Sequence, residues 1–88
     1  MDQKTAESLL RKEGFTHIFA GKEFPNIVYP SHTHPEIAAH IVVEGEMIIT
    51  VERKRHVLNA GNRFDVPAGI AHSAKMGPNG CVYVVGRR

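Results

Sequence analysis

Residues 61–72 read Gly61-Asn62-Arg63-Phe64-Asp65-Val66-Pro67-Ala68-Gly69-Ile70-Ala71-His72. The segment spells turn, short strand, turn, histidine. Phe64 and Val66 fall on one face of residues 63–66, the alternation of a strand. Pro67 ends that strand without needing a ladder donor. Gly61 and Gly69 supply the positive φ that tight turns between strands demand. Upstream, residues 32–45 read His32-Thr33-His34-Pro35-Glu36-Ile37-Ala38-Ala39-His40-Ile41-Val42-Val43-Glu44-Gly45. Positions i and i+2 of an extended segment point to the same side, so His32 and His34 are placed to chelate one ion. Pro30 and Pro35 bracket the pair and stiffen it, which lowers the entropy lost on binding.

Working outward, the chain reads as short strands separated by turn residues. Residues 26–29 are strand-like and Pro30 ends them. Residues 38–43 are apolar on both faces, as in a buried strand, and Glu44-Gly45-Glu46 interrupts them. Residues 47–51 alternate, and Arg53-Lys54 is the expected turn into 56–58. Residues 59–62 close that strand. After 63–66 comes the turn Pro67-Ala68-Gly69, then 72–76, the turn Gly77-Pro78-Asn79-Gly80, and a last strand at 81–85. Six or seven strands at regular spacing predict an all-β barrel or sandwich. One helix is expected before them, with Ala6, Leu9 and Leu10 on one face and Gly14 as its cap. Barely three turns long, it cannot stand alone in water and must pack on something, with Phe15 and Ile18 following to help. No repeat or linker divides the chain, so residues 1–88 form a single domain.

A chain of 88 residues buries only about 60% of its unfolded surface. Its core needs support from a metal, an oligomer or a closed barrel. The longest apolar run, 38–43, contains His40 and is far short of the roughly 18 residues of a membrane helix. The N-terminus Met1-Asp2-Gln3-Lys4 carries no signal pattern, so a cytoplasmic location is expected. Cys81 is the single cysteine, which excludes an intramolecular disulfide and a Cys-rich zinc site and leaves a buried structural thiol. Arg53, Lys54 and Arg55 follow Glu52 without interleaved aromatics and read as a solvated hairpin tip, with Arg87 and Arg88 a second basic pair. No nucleic-acid partner and no membrane are expected. No Ser-His-Asp order, phosphate loop or nucleotide fingerprint is present.

The two quoted stretches resemble the paired signature motifs of the cupin superfamily, from Tyr29 to about His72. The spacing is His-x-His, ten residues, Gly45, and later Gly61, five residues, Pro67-x-Gly69, two residues, His72. The ends are similar to those of small single-domain bacterial cupins: a short helix before, and a Gly77-Pro78-x-Gly80 turn into a Tyr83-containing strand after. The resemblance implies a small antiparallel double-stranded β-helix, or jelly-roll barrel, with a short N-terminal helix and a metal near its mouth. It carries the family's three histidine ligands onto His32, His34 and His72. The family's glutamate falls at Ala38, so this chain departs from the four-ligand pattern. His40 lies two residues on, on the same face and shifted by about 6.6 Å; it is one candidate fourth ligand and Glu36 is another. Otherwise water or substrate takes the position. His17 and His56 match no motif position and read as surface or strand-face residues.

Three neutral imidazoles suit one divalent transition metal ion: Zn, Fe, Ni, Mn or Cu. Such an ion polarises a bound oxygen or acidifies a bound water. Without a carboxylate at position 38 the site carries more positive charge, which favours an anionic small-molecule ligand such as an enolate, carboxylate or catecholate. Ala38, Ala39 and Ala71 either leave room for a pocket or allow close sheet packing. Glu36, His40 and Tyr83 are the acid–base candidates, provided they face the pocket. Two functions fit: a metal-dependent oxygenase, isomerase or lyase acting on a small organic acid or phenol, and a non-catalytic ligand-binding or sensing module. Fold does not choose between them. A homodimer is expected, because the open edges of so small a barrel need cover, with the helix or residues 26–29 crossing to the partner.

Overall fold

Asp2 caps the first element, its carboxylate accepting the Thr5 N–H at 2.8 Å. In the computed structural model, which describes residues 1–88, helix α1 then runs Gln3–Lys12. At its end the Gly14 N–H reaches the Arg11 carbonyl and the Phe15 N–H the Leu10 carbonyl, both at 3.1 Å. With Gly14 at φ 90° this is a Schellman ending, and Leu10 and Phe15 supply its apolar contact. Both are buried with Ala6 against Ala39, Ile41 and Val84. The short helix is therefore held by the outer face of the sheet. Arg63 ties down its end, with two bonds to the Glu13 carboxylate, both at 2.7 Å.

Six strands follow: β1 His17–Glu23, β2 Val28–His32, β3 Ala38–Val51, β4 Lys54–Asn59, β5 Arg63–Val66 and β6 His72–Arg87. Every pairing is antiparallel. The long strands β3 and β6 pair with each other almost end to end, Ala38 opposite Arg87 and Val51 opposite His72. One half of this ladder is flanked by β1 and β5. The other half is flanked by β2 and β4. The result is two four-stranded leaves sharing two long strands. Ala38, Val42, Val66 and Val85 from one leaf meet Met47, Ile49, Leu58 and Met76 from the other in one apolar core. The pairing does not close into a ring; the jelly-roll barrel is open at its edges.

Several local readings change. Glu44-Gly45-Glu46 does not break the chain into two strands. Register shifts between Val42 and Glu44 and between Gly45 and Met47 make it a pair of bulges where β3 bends. Gly45 sits there at φ 79°, and a Cβ on it would run into the Gly80 carbonyl oxygen. Likewise Gly77-Pro78-Asn79-Gly80 lies inside β6 instead of turning the chain. Pro30 lies within β2, where an edge strand tolerates the missing donor. Strand β1 precedes residues 26–29, the first strand expected; it is mostly exposed and so carries little apolar alternation.

The β3–β4 turn is Glu52-Arg53, one residue earlier than expected, with φ values of 49° and 67°. Both central residues are left-handed, as a two-residue type I′ hairpin demands, and neither is glycine or asparagine. Replacing Arg53 by glycine should therefore stabilise the protein by about 1 kcal/mol, the cost of a left-handed non-glycine residue. Urea unfolding should show a higher midpoint at unchanged slope. An unchanged midpoint would mean that Arg53 makes side-chain contacts that offset the strain.

Candidate metal centre

The register of the edge strand builds the site. His32 ends β2 and His72 begins β6, and the two are cross-strand partners. Their ring centroids are 4.4 Å apart. His34 follows two residues later, beyond the strand, and its carbonyl accepts the Gly69 N–H at 2.8 Å. That bond ties the His-x-His segment to the turn before His72. The His34 ring centroid stands 4.7 Å from that of His32 and 5.4 Å from that of His72. One ligand nitrogen from each of the three lies within 4.8 Å of the others.

Two of the rings are fixed in their tautomer. His32 Nδ1 is 2.7 Å from the Pro30 carbonyl oxygen, and His72 Nδ1 is 3.0 Å from the Ile70 carbonyl oxygen. A carbonyl only accepts, so each Nδ1 carries the proton and donates it. Each Nε2 is left with its lone pair, the arrangement that orients a metal-binding imidazole. His72 is buried at 4% exposure, while His32 and His34 are half-buried. The donor set fits a divalent transition metal approached from one open side.

A cavity of about 170 Å³ opens beside these rings. His32, His34 and His40 line it with Tyr29, Tyr83 and Arg87; Met47 and Met76 are among its apolar walls, and no lining residue is acidic. His40 lies outside the three-histidine group, its ring centroid 6.3 Å from that of His72. Its Nδ1 is buried without a hydrogen-bond partner. Burial, then the neighbouring His72, pushes its pKa down to about 4. Burial also lowers His34, with the Arg87 charge the next cause. Glu36 turns away from the cavity: its carboxylate is 3.5 Å from His17 Nδ1.

Two tyrosines line the cavity. The Tyr29 hydroxyl donates to Glu23 at 2.7 Å, which holds the phenol protonated. Burial raises the pKa of Tyr83. Gly21, the cross-strand partner of Tyr83, leaves space for that ring; a Cβ there would lie 2.5 Å from Tyr83 Cζ. The alanines do not make the room. Ala38 packs between the leaves, Ala39 packs under the helix and Ala71 is exposed. Tyr29, Gly21 and Arg87 were not picked out as site residues by the sequence. For Arg87 a signal exists: Tyr83, Val85 and Arg87 alternate onto one face of β6. The remaining histidines fall where expected, His17 exposed and His56 stacked on Phe64 at 4.0 Å. Cys81 is buried and free, and burial pushes its thiol up to about 11, a structural position.

Comparison with known proteins supplies a family and a fold. The family described as cupin domain matches residues 21–84. No curated protein matches the chain. Among solved structures, an RmlC-like cupin from Shewanella frigidimarina NCIMB 400 is 30% identical with a TM-score of 0.68, over 80% of this chain and 64% of that one. KdgF from Halomonas sp. is 23% identical with a TM-score of 0.69, over 81% of this chain and 67% of that one. An oxalate decarboxylase variant from Bacillus subtilis reaches a TM-score of 0.76 at 16% identity, over 89% of this chain and 23% of that one. The chain thus spans about two thirds of the first two and under a quarter of the third. The last two likenesses concern the fold alone.

The half-buried His40 sets a pH dependence. Its pKa falls from the ordinary 6.5 to about 4 on folding, so between those values the unfolded chain binds more protons. Stability is then full above pH 6.5 and falls as the pH drops toward 4, by at most ~3 kcal/mol. His34 shifts in the same direction and adds to the slope. Urea midpoints of metal-free protein should fall across that window and flatten in His40→Gln. An equal slope in His40→Gln would assign the effect to other groups.

Proposed function

The chain belongs to the cupin domain family, and from that premise we propose that it holds one divalent transition metal ion on His32, His34 and His72 and acts on a small anionic organic molecule beside it. The observation that carries this reading is three histidine side chains grouped within 4.8 Å at a cavity without an acid. Zn, Fe, Ni, Mn and Cu all suit three neutral imidazoles. When bound, the metal supplies Lewis acidity toward a ligand oxygen or acidifies a water. The chain's own residues do the rest. Tyr29 and Tyr83 present hydroxyls, His40 presents a neutral imidazole, and Met47 and Met76 exclude water from one wall. The reaction class is that of an oxygenase, isomerase or lyase on a small organic acid or phenol.

His40 and Tyr83 are the acid–base residues in this reading, and Glu36, engaged with His17, stays outside. His40 is a pocket wall, and the fourth position belongs to water or substrate. One observation favours a second reading, a ligand-binding or sensing module. Three of the cavity groups are held neutral: His40 by its low pKa, Tyr29 and Tyr83 by raised ones. None is a strong base near neutral pH.

The same proposal includes a cytoplasmic homodimer. No helix is long and apolar enough to cross a membrane. Phe19, Phe24, Ile27, Val28 and Tyr29 are exposed around β1 and β2, and β2 is an open edge. A second copy covering them would hide both the apolar patch and the unpaired edge. Light scattering at micromolar concentration should give twice the 9.7 kDa chain mass, reverting to the monomer in a Phe24→Glu, Val28→Glu variant. A monomeric wild type would end the dimer reading.

Elemental analysis tests the metal. Wild-type protein should carry about one metal per chain, His72→Ala should lose it and His40→Ala should keep it. Loss in His40→Ala as well would make a four-histidine site. Ala38→Glu should bind at least as tightly as wild type. No metal in wild type from metal-supplemented medium would remove the metal chemistry and leave the binding module.

A further inference from the structure

Arg87 is the penultimate residue of the sequence and reads as half of a basic pair with Arg88. It lies on β6, paired with Ala38 of β3 on one side and His17 of β1 on the other. The Ile37 and Arg88 backbones bond to each other just beyond, at 2.8 and 3.1 Å, so the residue is clamped within the sheet. Its side chain turns inward to the cavity that His32 and His34 line. The guanidinium carbon sits 5.9 Å from the centre of the Phe19 ring. Its Nε has no accessible surface and no hydrogen-bond partner.

A buried N–H of a charged group without an acceptor is costly and rare. The acids on neighbouring elements do not satisfy it. Glu36 faces His17, Glu23 takes the Tyr29 hydroxyl, and Glu13 and Asp65 hold Arg63. Across the ladder, Ala38 offers only a methyl group. Nε is walled off by the protein, so what remains for a ligand is the Nη side of the guanidinium, which lines the cavity and is given no acceptor by these acids. The two Nη of a guanidinium form a planar fork, which matches the two oxygens of a carboxylate. At about 170 Å³ the cavity is smaller than the roughly 300–1,000 Å³ of sites for drug-sized ligands.

We infer that Arg87 is the carboxylate-binding residue of the pocket, so that the ligand is a small organic acid held at one end by the guanidinium and at the other by the three-histidine site. This rests on the metal-site reading and selects, within it, an acid over a phenol. The ligand carries a carboxylate for Arg87 and a separate oxygen for the metal. The exposed Arg53 and Arg55 play no part.

The test uses malonate and malonamate, its monoamide, as probes. They have nearly the same size, and each keeps a carboxylate for the metal, so a second charge is what separates them. Both are titrated calorimetrically into zinc-loaded wild type, Arg87→Gln and Arg87→Lys, with zinc content measured on the same samples. The ratio of malonate to malonamate affinity should be larger in wild type than in Arg87→Gln by about tenfold or more, the scale of a charge-assisted bond in a desolvated site. Arg87→Lys keeps the charge without the fork and should fall between them. Equal ratios in wild type and Arg87→Gln, or no malonate binding to wild type at millimolar concentration, would overturn the inference. With one zinc per chain that failure would leave the metal site standing. If no sample takes up zinc, the metal reading fails on its own, and the same ratios on metal-free protein decide Arg87 by the same criterion.

Discussion

The pairing of β3 with β6 is the constraint on which everything else hangs. Ala38 opposite Arg87 and Val51 opposite His72 mark the limits of a ladder that runs through both leaves. Neither leaf has a strand pair at its centre without these two. The ladder bends where β3 carries its bulges, and the bend is possible because Gly45 and Gly80 approach too closely for any side chain. Folding the leaves together places the apolar residues of both in one core. It also sets the inward faces of β2, β3 and β6 around one cavity, so the site is a consequence of the ladder.

Charge separates the outside of the domain from that cavity. Carboxylates are satisfied at the periphery: Glu13 and Asp65 by Arg63, Asp2 by the first turn of the helix, Glu23 by Tyr29. Facing the cavity are three histidines, two phenols and a guanidinium, with no acid. Burial of His40 and His34 favours their neutral forms, which are the forms that offer lone pairs. Ala38 contributes here by what it lacks, since a carboxylate at that position would face Arg87 across the ladder.

Much of this was legible in the sequence because the relevant signals are local. A His-x-His pair in an extended segment needs only strand periodicity, and the glycine and proline spacing around His72 needs only turn chemistry. The single helix and the buried Cys81 followed from their neighbours. What escaped had non-local causes. Glu44-Gly45-Glu46 and Gly77-Pro78-Asn79-Gly80 carry strong turn chemistry, yet each lies in a strand, because the facing ladder continues past it and absorbs the irregularity as bends. Strand β1 escaped too, since an exposed edge needs few apolar residues. The hairpin turn moved by one residue because β3–β4 register, Val51 opposite Lys54, leaves only Glu52 and Arg53 between the strands.

By itself the sequence determined the class of fold and singled out three histidines that the structure brings together. Those properties reside in residue type and spacing, which survive without coordinates. Only the tertiary structure decided which residues surround the histidines. It turned Glu36 outward to His17, set His40 6.3 Å from His72 between ring centroids, and drew Tyr29 and Arg87 into the wall. The physical reason is register. Sequence spacing says that two side chains share a face, but which strand lies opposite, and at which residue, is fixed by pairing over the whole ladder and by the bend that brings its two halves together.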